Sequence, residues 1–527
     1  MERHFAFRLF VKLLVATWLL ATAPAVVSGA GPHAVVSPAS LEKGVGINLS
    51  AVCDWCAEIQ FLDVFKSARP WVNWNHPDYA FDLDANGYIR SLEPGMEAYT
   101  LVFTDLAGHY PKGRYVVLYD GEGTLRFWED EHSRVISSEP GRIVIDLQSD
   151  HGAVFTLSEV NPDNYIRNIR MIPAEYEGVE PLPTFHPDFL ARWRHVDIIR
   201  FMDWMRTNES TVERWEDHTT PTSFTQGGPA GVSVEYMVEL ANELDADPWF
   251  TMPTRADDDY VRRFAEYVKE HLNPHLNVYI EWSNETWNSA FPQYHYAVEQ
   301  GRKLGFTGSD WDVQIKYHAH RAKRIFEIWE DVFGSDERLV KVLGGFHHGG
   351  AYMAEMMLQH ENVYEIADAY AIAPYFGHAY GAEKAEWVKT ASLEEILADL
   401  EHELAVSWQA TEAVIAAVEK YGLAVIAYEG GQHLVGHYYD GTWYPDDDKL
   451  TEKLTWLNRQ PEMYDIYMRD LRRWDEMGGA AYVAYASLTA YNQYGSWGLF
   501  EYHGQDPATA YKFQALSDWM KFRRQQP

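Results

Sequence analysis

The sequence predicts an α/β fold, a (β/α)8 TIM barrel with a small antiparallel β domain inserted after the first βα unit. Three observations predict it. Eight short apolar runs recur with helical stretches between them, the pattern of βα units and a parallel sheet. A length of 527 residues suits one large barrel plus an accessory domain. The texture of the chain also changes between the first and second runs.

The eight runs are GVGINL (44–49), HVDIIRFM (195–202), PWFTM (248–252), NVYIEW (277–282), VKVLGG (340–345), AYAIAPY (369–375), LAVIAY (423–428) and AAYVAYA (480–486). Amphipathic segments separate them. In DDDYVRRFAEYVKEHL (257–272), Tyr260, Phe264, Val268 and Leu272 recur at a spacing of four, one face of a helix. The gap between the first and second runs is too long for one helix. From 79 to 172 apolar and polar residues alternate, punctuated by Asn86-Gly87, Asp120-Gly121 and Pro140-Gly141, which reads as antiparallel β structure. Because GVGINL and a helix in FLDVFKSA (61–68) precede it, this stretch is an insertion rather than an N-terminal module. The expected division is a leader at 1–30, the first part of the barrel at 31–78, a β-sandwich-like domain at 79–172 and the rest of the barrel at 173–527.

The leader carries Arg3, Arg8 and Lys12, an apolar run at 13–23, and small residues through Ser28 and Ala30. It reads as a secretory signal peptide cut near Ala30, so the mature protein is expected to be secreted or periplasmic. The apolar run is too short to span a bilayer, and no later segment looks transmembrane. Net charge is −34, with 78 acidic against 44 basic residues, which argues against nucleic acid and anionic membrane as partners. The only cysteines, Cys53 and Cys56, lie three apart with no second pair to complete a zinc site. In an exported chain they read as a local disulfide or two idle thiols.

Barrel enzymes build their sites where the strands end at their carboxyl side. Two of the runs stop on glutamate: NVYIEWS leads into Asn284 and Glu285, and LAVIAY into Glu429 followed by Gly430-Gly431. These are the fourth and seventh strands by count, so the two carboxylates can face each other across the mouth. Hydrolysis of a glycosidic bond needs such a pair, one protonated to donate to the leaving oxygen and one ionised to attack or to activate water. The flanking glycines are expected to let the backbone turn and admit substrate close to Glu429.

Asn-Glu ending strand four with a lone Glu ending strand seven resembles the (β/α)8 retaining glycosidases of clan A. The resemblance implies Glu285 as acid/base, Glu429 as nucleophile and Asn284 as the residue that binds the sugar 2-hydroxyl. It further implies Tyr375 as the hydroxyl that hydrogen-bonds the nucleophile, Arg200 on strand two as its basic neighbour and Trp497, in YGSWGLF, as the aromatic floor of the sugar site. The pattern departs from the clan at strand three, where PWFTMPTR has no histidine. Two further Asn-Glu pairs, at 208–209 and 242–243, do not sit where a strand ends.

Each assignment has a plainer alternative. Arg200 could neutralise an interior carboxylate such as Asp203, and Tyr375 and Trp497 could be packed aromatics. Of the chain's 20 tryptophans, only Trp204, Trp282, Trp287 and Trp497 lie at strand ends, where they could stack on a sugar face. Asp82, Asp84, Asn86, Gly87 and Glu93 fit a calcium-loop spacing, yet neither flank reads as a helix and Asn86-Gly87 reads better as a hairpin turn. His347-His348 and His378 follow strands five and six, but without an HxH on strand one or an HExxH a metal-dependent hydrolase is not the expected reading. The expectation is therefore a secreted retaining β-glycosidase that takes a carbohydrate substrate and needs no cofactor or metal. A non-catalytic carbohydrate-binding protein on a barrel scaffold, or a polysaccharide lyase, is the alternative. Oligomeric state is not legible.

Overall fold

The computed structural model describes residues 41, 44–335 and 337–525; the leader expected at 1–30 lies outside them. Eight parallel strands close into a barrel: β1 (Val45–Asn48), β2 (Ile198–Arg200), β3 (Asp247–Met252), β4 (Val278–Trp282), β5 (Leu339–Gly344), β6 (Ala369–Ile372), β7 (Ala424–Ala427) and β8 (Tyr482–Ala484). Each pairs with the next in sequence, and β8 pairs with β1 to close the ring. Every one of the eight apolar runs supplies one strand.

Strand alternation sorts the side chains. Ile198, Trp249, Tyr279, Val340, Val342 and Ile426 fill the barrel interior as one cluster. Their neighbours Ile199, Phe250, Ile280 and Trp282 point outward into the much larger layer between sheet and helices. The helices follow local signals. In the 257–272 segment, Asp257 accepts from the amide of Tyr260 to start the helix Asp258–His271, which buries Tyr260, Phe264 and Val268. Ser309 and Ser392 each form a capping box with the residue three positions on, starting the long helices Asp310–Phe333 and Leu393–Val418.

The helix expected in FLDVFKSA is a single 3-10 turn, Val64–Ser67. Pro70 follows closely, and Asp63, which caps the turn, also accepts from the amide of Met171 at 2.9 Å, pinning the segment to a later strand. The helix that leads into β2 is instead Pro187–Trp193. Between the turn and that helix the chain forms antiparallel β structure. One sheet orders Ala98–Val102, Ala153–Val160 and Gly123–Phe127; another orders Arg167–Pro173, Gly113–Asp120, Arg142–Leu147 and Arg134–Glu139. Pro140-Gly141 makes a tight hairpin, whereas Asp120-Gly121 turns the chain from one sheet to the other. Phe155 packs against Phe65 at 5.2 Å between ring centroids, so the inserted strands share a core with the barrel's outer layer.

The candidate calcium segment is a hairpin in which Asp82–Leu83 pairs with Ile89–Ser91. Its two aspartates have partners within the protein. Asp82 accepts from Arg90 and Ser91, and Asp84 from the amides of Asn86 and Tyr88 and the hydroxyl of Tyr165. Cys53 and Cys56 form a disulfide with a Cα–Cα distance of 5.1 Å.

Candidate active site

Arg200 organises the carboxyl end of the barrel. As the last residue of β2 it points inward in register with Asn48 on one side and Trp249 on the other, and it is fully buried. Its guanidinium donates to Glu429 Oε1 and Asn48 Oδ1, each at 3.0 Å, to Asn284 Oδ1 at 2.8 Å and to Glu281 Oε2 at 2.9 and 3.2 Å. The rings of Tyr428 and Trp249 lie 4.9 and 5.4 Å from its central carbon. A planar five-donor fork suits this task, and a lysine could not make these bonds at once.

Glu429 follows β7 and is held from two sides. Besides Arg200, the hydroxyl of Tyr375 donates to its second oxygen at 2.9 Å. Glu285 follows β4 through two residues in the left-handed region, Ser283 with φ 61° and Glu285 with φ 42°. Non-glycine residues rarely adopt such angles, and they cluster where function demands a particular side-chain direction. Ser283 is secured by its hydroxyl contact with Thr254 at 2.7 Å. Glu285 itself is half-buried and accepts from Asn288 Nδ2 at 3.0 Å.

The environments of the two glutamates differ in what they favour. Burial pushes the Glu285 carboxyl up to about 8, with the charge of Glu429 adding to the push and the Asn288 hydrogen bond opposing it. Burial pushes Glu429 up as well, while Arg200 and Tyr375 pull it back. Each carboxylate therefore disfavours ionisation of the other. Arg200 acts on both anions, but only Glu429 accepts hydrogen bonds from its guanidinium and from the Tyr375 phenol, which favours the negative charge on Glu429 and the proton on Glu285.

No family model matches the chain, and no curated protein matches it. Among solved structures it is similar to a GH51 arabinofuranosidase from Xanthomonas axonopodis pv. citri, at 12% identity, TM-score 0.38, and 60% of this chain against 63% of that one. It is similar to a glucosidase from Croceicoccus marinus, at 14% identity, TM-score 0.35 and 63% against 64%. It is also similar to a 4-O-alpha-L-rhamnosyl-beta-D-glucuronidase from Fusarium oxysporum 12S, at 12% identity, TM-score 0.40 and 63% against 65%. In these three the matched part spans less than two thirds of the other chain's length.

All six residues expected at the site lie in one contiguous group. Asn284, Arg200, Tyr375 and Glu429 are joined by the hydrogen bonds above, and Glu285, next to Asn284 in the chain, lies close enough to Glu429 for that charge to push its carboxyl up. Trp497 lies 5.6 Å from Tyr375 and 5.8 Å from Tyr485 between ring centroids, with its indole N–H donated to Tyr494 O at 2.8 Å. Of the other strand-end tryptophans, Trp204 and Trp282 face the outer layer, whereas Trp287 stays partly exposed two residues beyond Glu285. Trp204 packs among Phe61, Phe201 and Phe189, and Trp282 against Tyr317 and His318, both fully buried in the outer layer. Trp287 stacks on Phe346 at 4.2 Å. Position near a strand end was too loose a criterion, because the pleat decides which side each residue faces.

After Glu429, Gly431 takes φ 134° and so supplies the backbone turn expected of the glycine pair, but the space beside both glycines is not left for substrate. A Cβ on Gly430 would fall 2.3 Å from the Tyr482 hydroxyl, and one on Gly431 2.8 Å from that of Tyr467. The space is used by neighbouring tyrosines. Sequence reading missed Asn48, whose amide holds the carbonyl of Tyr428 at 2.8 Å, and treated Asn208 as irrelevant. Asn208 in fact accepts from Asn284 at 3.1 Å and from Gln293 at 2.7 Å, fixing the Asn284 amide so that its oxygen faces Arg200. Asn48 is a lone amide one residue before the end of its apolar run, as Asn284 follows one, and that signal could have found it.

Proposed function

We propose that this protein is a retaining β-glycosidase. The observation that carries the reading is the asymmetry around Arg200: one carboxylate accepts hydrogen bonds from a guanidinium and a phenol, while the other has neither bond and is pushed up by burial and by that neighbouring charge. Glu429 would attack the anomeric carbon while Glu285 protonates the leaving oxygen. The resulting glycosyl ester on Glu429 would then be opened by water, deprotonated by the same Glu285. Asn284, pinned by Arg200 and Asn208, presents its amide beside the nucleophile, where a sugar hydroxyl would be oriented. Trp497 offers a flat face next to Tyr375 for the ring of a β-linked oligosaccharide or polysaccharide. Export belongs to the same reading, and the Cys53–Cys56 disulfide suits an oxidising compartment.

The test is turnover on a panel of β-glycans with the first product followed by proton NMR. Glu285→Ala and Glu429→Ala are each expected to lower kcat at least roughly 1,000-fold, and the first product to keep its anomeric configuration. Inversion, or near-normal turnover in either variant, would remove the assignment.

A further inference from the structure

A second group of converging side chains lies beside the carboxylate site. His378 follows β6, and His433 and His437 follow β7. Among the described residues, each of the three offers one ring nitrogen to a cluster in which all three nitrogens lie within 4.8 Å of one another. His433 Nδ1 is 3.1 Å from His437 Nε2 and 3.4 Å from His378 Nδ1.

A hydrogen-bonded trio does not account for this. An imidazole nitrogen carries in its ring plane either one proton or one lone pair, so His433 Nδ1 can serve one of those two neighbours and not both. A tetrahedral metal accounts for it directly. With Zn–N bonds of about 2.0–2.1 Å, two ligand nitrogens stand about 3.3 Å apart, between the two observed separations.

The backbone beneath the cluster is tightly built. His433 N donates to Phe376 O at 2.7 Å and His437 N to Gly381 O at 2.8 Å, lacing the two segments together. Gly381 permits it, since a Cβ there would fall 1.6 Å from Val435 O. The two segments that carry the histidines are therefore held at a fixed spacing by main chain.

We propose that His378, His433 and His437 bind one divalent transition-metal ion of the zinc class. Imidazoles without thiolates suit zinc, and three protein ligands leave a fourth position for water or an oxygen of a bound ligand. His433 lies 5.0 Å from Trp497 and 5.3 Å from Tyr375 between ring centroids, so the ion would tie down the two segments that carry one wall of the carboxylate site. This is independent of the glycosidase reading, because its test measures metal and not turnover.

The experiment is titration of the chelator-treated full chain with zinc chloride by calorimetry, and with cobalt(II) by visible absorption. One Zn2+ per chain is expected, with a Kd below about 10 μM and the intense cobalt bands of a tetrahedral site. In His378→Ala and in His378→Ala/His437→Ala, with folding confirmed by circular dichroism, affinity is expected to fall at least roughly 10-fold. His378 is exposed, so its replacement should leave the fold intact. Zinc binding weaker than about 10 μM in the unaltered chain would overturn the proposal, as would a loss smaller than about 10-fold in the double variant. The latter outcome would place the ion elsewhere, for instance at His186, Asp188 and His503.

Discussion

Arg200 Nη1 and Glu429 Oε1 meet at 3.0 Å although 229 positions separate them in the chain. The pair is buried, and the same guanidinium also carries Glu281. One positive charge thus faces two carboxylates in contact and a third, Glu285, nearby. Removing the cation leaves buried anions unmatched, which costs far more than the pair contributes relative to apolar packing. Arg200→Met is expected to lower stability by about 3–5 kcal/mol in urea unfolding and to abolish most turnover.

Tyr375 tests the clamp without disturbing the core. Its hydroxyl donates to the oxygen of Glu429 that Arg200 leaves free. A hydrogen bond to a charged group contributes roughly 1.5–3 kcal/mol, so Tyr375→Phe should lower kcat about 10- to 100-fold. The same bond supports the folded state, so stability in urea unfolding should fall by at most about 1.5–3 kcal/mol. Equal kcat in the two proteins would show that the phenol does not matter to the anion.

The protonation order predicts a pH profile with a definite sign. In the proposed mechanism Glu285 must enter the first step protonated, and burial together with the charge of Glu429 holds its carboxyl near 8. Activity should persist through neutral pH and decline as pH rises through that region, instead of failing above the ordinary glutamate range. Because the Glu429 charge raises the pKa of Glu285, Glu429→Gln should lower it. Carbon-13 NMR titration of labelled glutamates reads this directly, and an unchanged or raised value in the variant would contradict the coupling.

The barrel was legible because each strand is a short apolar run with turn residues and amphipathic segments around it. The ends of those runs marked Glu285 and Glu429 for the same reason. Glu281 shows what stayed hidden. Strand alternation alone sets it, four residues before Glu285, on the same side and deeper in the barrel; its pairing with Arg200, which comes from another strand 81 positions away, is the part no local pattern encodes. The roles of Asn48 and Asn208 depend on β1 and the segment after β2 coming together with β4, contacts that no local pattern encodes. The short first turn was misread as a helix because its apolar spacing is helical, whereas its capping residue is engaged by a strand more than a hundred positions away.

Trp282 and Trp497 separate packing from binding in one experiment. Both looked like strand-end aromatics in sequence, yet Trp282 is fully buried between sheet and helix while Trp497 is half-exposed beside Tyr375. Removing a buried indole leaves a cavity, so Trp282→Ala should lower stability by about 3–5 kcal/mol and leave KM near normal in whatever fraction stays folded. Trp497→Ala should do the reverse. Loss of a stacking face worth about 1–1.5 kcal/mol raises KM roughly 10-fold, with unfolding little changed. Should Trp497→Ala shift the unfolding midpoint and spare KM, its ring would be a packing element of the barrel mouth and the sugar floor would have to be sought among other side chains.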